Sequence, residues 1–305
     1  MAVTDASAVL IDGPWRHQFV AANGARFHVV IADGVAPDAP LVLLLHGFPQ
    51  MWWAWRHQLP TLAAAGYRAV AMDTRGSGAS DKPPQGYDVP TLARDTAGVI
   101  RSLGATDAVV VGHGLGASVA WSMPTLQTAV TRAVAALSCP YPTQMRSGRV
   151  ARGLVRTTTA RRLALAQLPW FPERRLVRGD LARRLLAEWG APGWPTADVA
   201  DVYAQAVRIP FAAHSGMERI RWLVRSTPRL DGRRWANALA RPVTVPTLQL
   251  HGRLDRAVPV DVARSPVGEP WTFHEVEGAG HYLAEEATDE VNRLLVEWLR
   301  TLPGR

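Results

Sequence analysis

The chain has 305 residues, 48% of them hydrophobic, which is enough to bury a large core in one domain carrying an insertion. A net charge of +8 accompanies a single cysteine, Cys139, so an internal disulfide framework and the four-cysteine metal patterns are excluded. No run of 18 apolar residues suggests a spanning helix, and MAVTDASAVLIDGPW lacks the basic and apolar stretches of a leader, so the expected location is cytoplasmic.

In chain order, residues 15–33 surround the short turn AANGA and read as an antiparallel hairpin. LVLLLHG (41–47), RAVAMDT (68–74), AVVVGH (108–113), RAVAALS (132–138) and PTLQLHG (246–252) are unbroken apolar runs. Such runs suit strands covered on both faces, as in a parallel sheet. Helical patterns at 53–65, 90–103 and 115–127 alternate with them, which calls for right-handed crossovers in an α/β layer fold. A last strand at 271–278 precedes an amphipathic helix at 285–301, with Val291, Leu294, Leu295, Trp298 and Leu299 on one face.

Residues 143–236 break the rhythm with helical patterns and proline-rich hinges. The expected organisation is therefore a core in two parts, 1–142 and 237–305, around a helical insert. Residues 143–235 hold 18 Arg against 7 acidic residues, whereas the rest of the chain is slightly acidic. The plain reading is a solvated arginine surface, since Lys82 is the only lysine. The sharper one is contact with an anionic ligand or membrane face. No basic run here carries the interleaved aromatics of a nucleic-acid groove, so no nucleic-acid partner is expected. Trp170, Trp189, Trp194, Trp222 and Trp235 predict an aromatic underside to the insert. Two arginine-rich helices are expected at 149–168 and 174–189.

Polar residues collect where the strands end, which is where ligands bind in open α/β sheets. His46-Gly47-Phe48-Pro49 follows one strand and Gly112-His113-Gly114-Leu115-Gly116 another. Asp255 follows the strand at 246–252, and His281 the strand at 271–278. Turn, acid and histidine come in the chain order of hydrolases with a nucleophile elbow.

HGFPQMWWAWRHQLP, DTRGSGASDKP and VVVGHGLGASVAW together resemble the motifs of the α/β-hydrolases, and within them are similar to the epoxide hydrolases and haloalkane dehalogenases. The resemblance covers about 41–142 and 243–300. It implies an eight-stranded, mostly parallel sheet flanked by helices, with a helical lid after the sixth strand, no cofactor and no metal. It implies that Asp255 orients His281 as general base and that the N–H groups of Phe48 and Leu115 form an oxyanion hole. Gly114 then stands where the family carries an attacking Asp or Ser, so neither an alkyl-enzyme nor an acyl-enzyme is open to it. The family's lid aromatics correspond to Arg219 and Ile220, leaving Tyr203 and Tyr141 as candidate proton donors.

His46, His113, Trp121, Cys139, Tyr141 and Trp222 are candidate pocket residues. Cys139 is weighed as a substitute nucleophile against an inert buried thiol. Ser118 is read as helix packing. His113 and His46 are read as structural hydrogen-bonders, and Asp73 and Arg75 as tying down a loop. The expected ligand is a small hydrophobic molecule. An impaired hydrolase, a dyad enzyme without a covalent step, and a non-catalytic receptor or scaffold all remain open.

Overall fold

The computed structural model describes residues 4–145, 158–264 and 266–303. Eight strands form one sheet: β1 (Trp15–Ala22), β2 (Ala25–Ala32), β3 (Leu41–Leu45), β4 (Arg68–Met72), β5 (Ala108–His113), β6 (Thr131–Leu137), β7 (Thr247–Gly252) and β8 (Trp271–Val276). Their order is β1-β2-β4-β3-β5-β6-β7-β8. β1 and β2 pair antiparallel, as do β2 and β4; every other pairing is parallel. The hairpin turn has both Asn23 and Gly24 at positive φ, 44° and 74°, which matches the strand twist.

The sheet is covered on both faces, as its unbroken apolar strands require. Val42 and Leu44 of β3 point to one side, where they join Trp52, Trp55, Leu59, Leu295 and Trp298. Leu41, Leu43 and Leu45 point to the other and join Leu92, Ile100, Val119 and Trp121. The helix at 53–65 is split into a 3-10 turn, Trp52–Trp55, and a helix, Gln58–Ala64. At the start of the 3-10 turn the Trp52 N–H reaches Asp73 Oδ1 at 2.9 Å and its indole reaches the Val9 carbonyl at 2.8 Å. The final helix likewise divides into Leu283–Glu286 and Thr288–Thr301. Glu286 is occupied at the break, accepting from the N–H groups of Gly280, Ala191 and Tyr282.

Between β6 and β7 the described residues are helical: Pro142–Met145, Thr158–Ala166, Phe171–Arg178, Leu181–Trp189, Ala197–Ala206, Ala212–Arg225 and Leu230–Leu239. Of the expected helix at 149–168, the part before residue 158 lies outside the described residues. The expected helix at 174–189 is interrupted at Gly179-Asp180. The insert seats on the core through Arg219, which donates to Thr74 Oγ1 at 2.6 Å and Ser77 Oγ at 2.7 Å. Ser215 adds a bond to the Tyr87 hydroxyl. No described helix is long and apolar enough to cross a membrane.

The order in which strands are added reverses at β3, because β4 lies on one side of it and β5 on the other. A crevice opens at such a switch point, and here it is closed to backbone dimensions. A Cβ on Gly116 would lie 2.3 Å from the Leu45 carbonyl oxygen, and one on Gly112 would lie 2.4 Å from the Gly116 oxygen. The helix at Leu115–Leu126 therefore rests on β3 with no side chain between. Gly116→Val should cost about 3 kcal/mol or more of unfolding free energy by overpacking, read as a lowered urea midpoint.

Candidate functional site

Four strand ends supply the site. Asp255 follows β7, in a loop whose own N–H groups hold its carboxylate: Ala257 and Val258 donate to Oδ1 at 2.8 and 2.9 Å. The other oxygen, Oδ2, lies 2.9 Å from His281 Nδ1 and 3.3 Å from His251 Nε2. Burial alone would raise this carboxyl. The charges and hydrogen bonds of His281 and His251 outweigh it and hold Asp255 well below the usual carboxylate range.

His281 follows β8 and is fixed on several sides. Its N–H donates to the Trp189 carbonyl at 3.0 Å, and its own carbonyl lies 2.7 Å from His113 Nε2. Trp189, His113 and Tyr282 surround the ring at centroid distances of 5.5, 5.1 and 5.2 Å. With Nδ1 facing the carboxylate, Nε2 is the atom turned towards the turn after β5. There Gly114 has φ 52° and ψ −115°. A Cβ built on it would lie 3.5 Å from His281 Nε2 and 3.7 Å from Gly47 Cα, which is ordinary contact. Glycine at 112 and 116 is dictated by contact; at 114 there is room for a side chain.

The loop after β3 approaches from the other side. Gly47 passes so close to His113 that a Cβ would lie 2.7 Å from its Nδ1. His46 bonds the Gly47 carbonyl through Nδ1 at 2.7 Å and faces Thr74 through Nε2 at 3.2 Å. Leu115 opens its helix, so its N–H has no intrahelical acceptor and sits at the positive end of the helix dipole. Phe48, on the loop facing Gly114, is buried against the insert, where a Cβ on Gly216 would lie 2.4 Å from its ring.

Asp73 and Arg75 hold the following loop. Asp73 engages His28 and the N–H groups of Trp52 and Ala79, and Arg75 makes a two-pronged pair with Asp95. Two small cavities of about 10 Å³ flank Arg219. One borders Leu115 and the other Phe48, and each is about the size that admits one water molecule.

Other candidates are committed elsewhere. Tyr203 donates to Glu285, which also takes Gln50 and Arg56, and Tyr141 donates to the Leu239 carbonyl at 2.9 Å. Neither phenol is free to serve as a proton donor, and burial pushes Tyr141 up to about 12. Trp121 donates to the Cys139 carbonyl and packs edge-on against Tyr141. Trp222 bonds Asp231 and packs on Trp235. These rings belong to the apolar layer behind the sheet and are not among the rings around His281. The Cys139 thiol contacts Ser118 and the Pro140 carbonyl, and burial pushes it up to about 11, which suits an inert thiol rather than a nucleophile.

The aromatic underside is real only in part. Trp189 and Trp194 lie against His281 and Tyr282, whereas Trp170 is 64% exposed. Sequence reasoning places His251 at a strand end but does not pair it with Asp255, which it approaches at 3.3 Å. It also missed Tyr282, although Tyr282 adjoins His281 in the chain. Among the described residues no cluster of three or more His, Cys, Asp or Glu is placed to hold a metal ion.

Burial holds His46 down to about 4, and burial with the nearby His281 charge holds His113 down to about 3. Both are neutral in the folded protein, whereas in the unfolded chain they titrate near ~6.5. Below that pH the unfolded state binds the extra protons, so stability should fall as the pH drops from about 6.5 towards 4 and then 3. Urea midpoints across this range should decline, and His113→Gln should make the decline shallower by about one proton.

Comparison with known proteins agrees with this geometry. Residues 40–288 match the family described as alpha/beta hydrolase fold. Epoxide hydrolase A of Mycobacterium tuberculosis (strain H37Rv) is 33% identical, covering 94% of this chain and 98% of that protein. The AB hydrolase superfamily protein YfhM of Bacillus subtilis is 30% identical, over 93% of this chain and 97% of its own length. Among solved structures, an epoxide hydrolase from an endophytic Streptomyces superposes with a TM-score of 0.79 at 31% identity, covering 95% of this chain and 97% of that one. With its eight-stranded sheet, strand-end turn and chain-order acid and histidine, the chain belongs to the α/β-hydrolase superfamily and has epoxide hydrolases among its homologues.

Proposed function

We propose that this protein is an epoxide-hydrolase-like member that has given up covalent catalysis and uses the His281–Asp255 dyad as a base towards a small hydrophobic molecule held under the helical insert. One observation carries the reading. The dyad is assembled and aimed at residue 114, where a side chain would fit, yet that residue is glycine. A glycine forced by crowding would say nothing about chemistry.

Without a side-chain nucleophile, the remaining route to hydrolysis is direct. His281 Nε2 takes a proton from water as the water oxygen adds to the ester carbonyl carbon; collapse of the tetrahedral adduct then breaks the bond to the leaving alcohol, which takes the proton back from the imidazolium. Negative charge developing on the substrate oxygen would face the N–H groups of Phe48 and Leu115, reinforced by the helix start. Asp255 holds the imidazole by Nδ1 and balances the charge it acquires. Loss of a nucleophile in such sites typically costs ~10⁶ in turnover and leaves about 10³ to 10⁴ over water from binding and the oxyanion donors, to which general-base action by His281 on water would add. Slow turnover of activated esters is thus the expected activity.

A receptor without turnover is the second reading. It is favoured by glycine at 114, which offers no side chain for a covalent step while the fold and the insert are kept. With p-nitrophenyl esters and styrene-type epoxides, His281→Ala should lower turnover by about 10² to 10⁴. Binding without any turnover would favour the receptor.

Gly114→Asp combined with His281→Ala should trap an alkyl ester with a styrene-type epoxide, visible as a mass increase on the intact protein. The unaltered chain should show none. A covalent adduct on the unaltered protein would overturn the proposal, because it would reveal another nucleophile.

A further inference from the structure

At the tip of the insert, Leu168-Pro169-Trp170-Phe171 are four consecutive apolar residues and all are exposed. Leu168, Trp170 and Phe171 keep 47%, 64% and 38% of their surface in solvent. Soluble surfaces rarely present such a run without a function for it. Trp170 is moreover in the left-handed region, with φ 49°, an unfavourable conformation for a bulky side chain. It is pinned there where the helix Phe171–Arg178 begins, its carbonyl accepting from the Arg174 N–H at 3.0 Å.

Guanidinium groups surround this tip. A cleft of about 480 Å³ runs beside it, lined by Trp170, Phe171, Arg174, Arg175, Arg178 and Asp180. Asp180 is taken by Arg184 and Arg175. Among the described residues neither Arg174 nor Arg178 has an ion pair. Arg225 is tied to the side chain and carbonyl of Gln167, immediately before Leu168. An apolar wedge beside two arginines without ion pairs, Arg174 and Arg178, has the chemistry of the lipid headgroup boundary, with indole and phenyl rings in the acyl edge and guanidiniums on phosphates.

We propose that the Leu168–Phe171 tip of the insert docks on membrane surfaces rich in anionic phospholipid. Charge decides against a second copy of the chain as the occupant. Residues 143–235 carry 11 more basic than acidic residues, so two inserts would meet with like charge. The apolar residues are contiguous rather than spaced between the arginines, which fits a bilayer edge better than stacked bases. The inference rests on this surface alone and stands whatever the chemistry at Gly114.

The test is co-sedimentation of the full chain with vesicles of phosphatidylglycerol and phosphatidylcholine, or of phosphatidylcholine alone. The protein should pellet with the anionic vesicles at low salt and about tenfold or more weakly with neutral vesicles or at high salt. Trp170→Ser with Phe171→Ser, and separately Arg174→Glu with Arg178→Glu, should each weaken pelleting about tenfold or more, with the thermal midpoint kept as the control for folding. The proposal is overturned if the anionic vesicles leave the protein in the supernatant. Pelleting that both variants retain overturns it as well. So does a homodimer, or a duplex DNA complex, that forms instead of vesicle binding and is lost in the aromatic variant.

Discussion

Everything at the site depends on how closely two backbones approach where β5 turns into its helix. Gly112 and Gly116 let the first turn of the helix lie directly on the end of β3, and Gly47 lets the neighbouring loop pass over the His113 ring. These contacts leave the turn little freedom. Residue 114 consequently faces His281 whether or not it has a side chain with which to react. The turn keeps its shape because shape is set by the flanking glycines, while chemistry depends on the residue between them. In an ordinary elbow a nucleophile at positive φ costs about 1–3 kcal/mol; glycine adopts that backbone freely. On the reading proposed above, glycine at this position both relaxes the turn and leaves it without an attacking atom.

Around this contact, burial and charge are distributed so that the dyad stands alone as the polarised group. His46 and His113 are sealed in and held neutral, where they serve as hydrogen-bonding spacers. Asp255 is held by two backbone N–H groups and by His281, with His251 Nε2, which bonds the Val258 carbonyl at 2.7 Å, 3.3 Å away. A buried carboxylate so satisfied is rigid as well as charged. The imidazole it holds is fixed from above by Trp189, a residue of the insert, so the dyad's geometry joins core and insert.

The centre of the sheet was legible because parallel strands buried on both faces are written as continuous apolar runs; the five runs became β3 to β7, each within two residues, whereas the antiparallel hairpin was read from its Asn-Gly turn. The site was legible because strand ends are bounded by Gly, His and Asp in a recognisable order. Helix interruptions were not. Trp52 at the start of the first segment is anchored by Asp73, and Glu286 beside the break at Ala287 accepts from the Ala191 N–H, both partners far away in sequence. Periodicity carries no trace of such partners. The tryptophans of the insert show the same limit. Composition says that there are five, but only packing separates Trp189 over the imidazole from Trp170 in solvent. Tyr203 and Tyr141 were plausible acids by residue type, and both are already spent on acceptors within the protein.

Arg219 gives the closed arrangement a particular character. Its guanidinium is 4% exposed, it rests on two hydroxyls of the core, and its Nε has no partner. Burial lowers it to about 10, which measures how poorly the surroundings replace water. Lifting the insert away would break these two bonds along with the others between insert and core, such as Ser215 to Tyr87 and Ala191 to Glu286. It would also restore the hydration of an ion, so part of the cost of separating the two layers is returned at Arg219 itself.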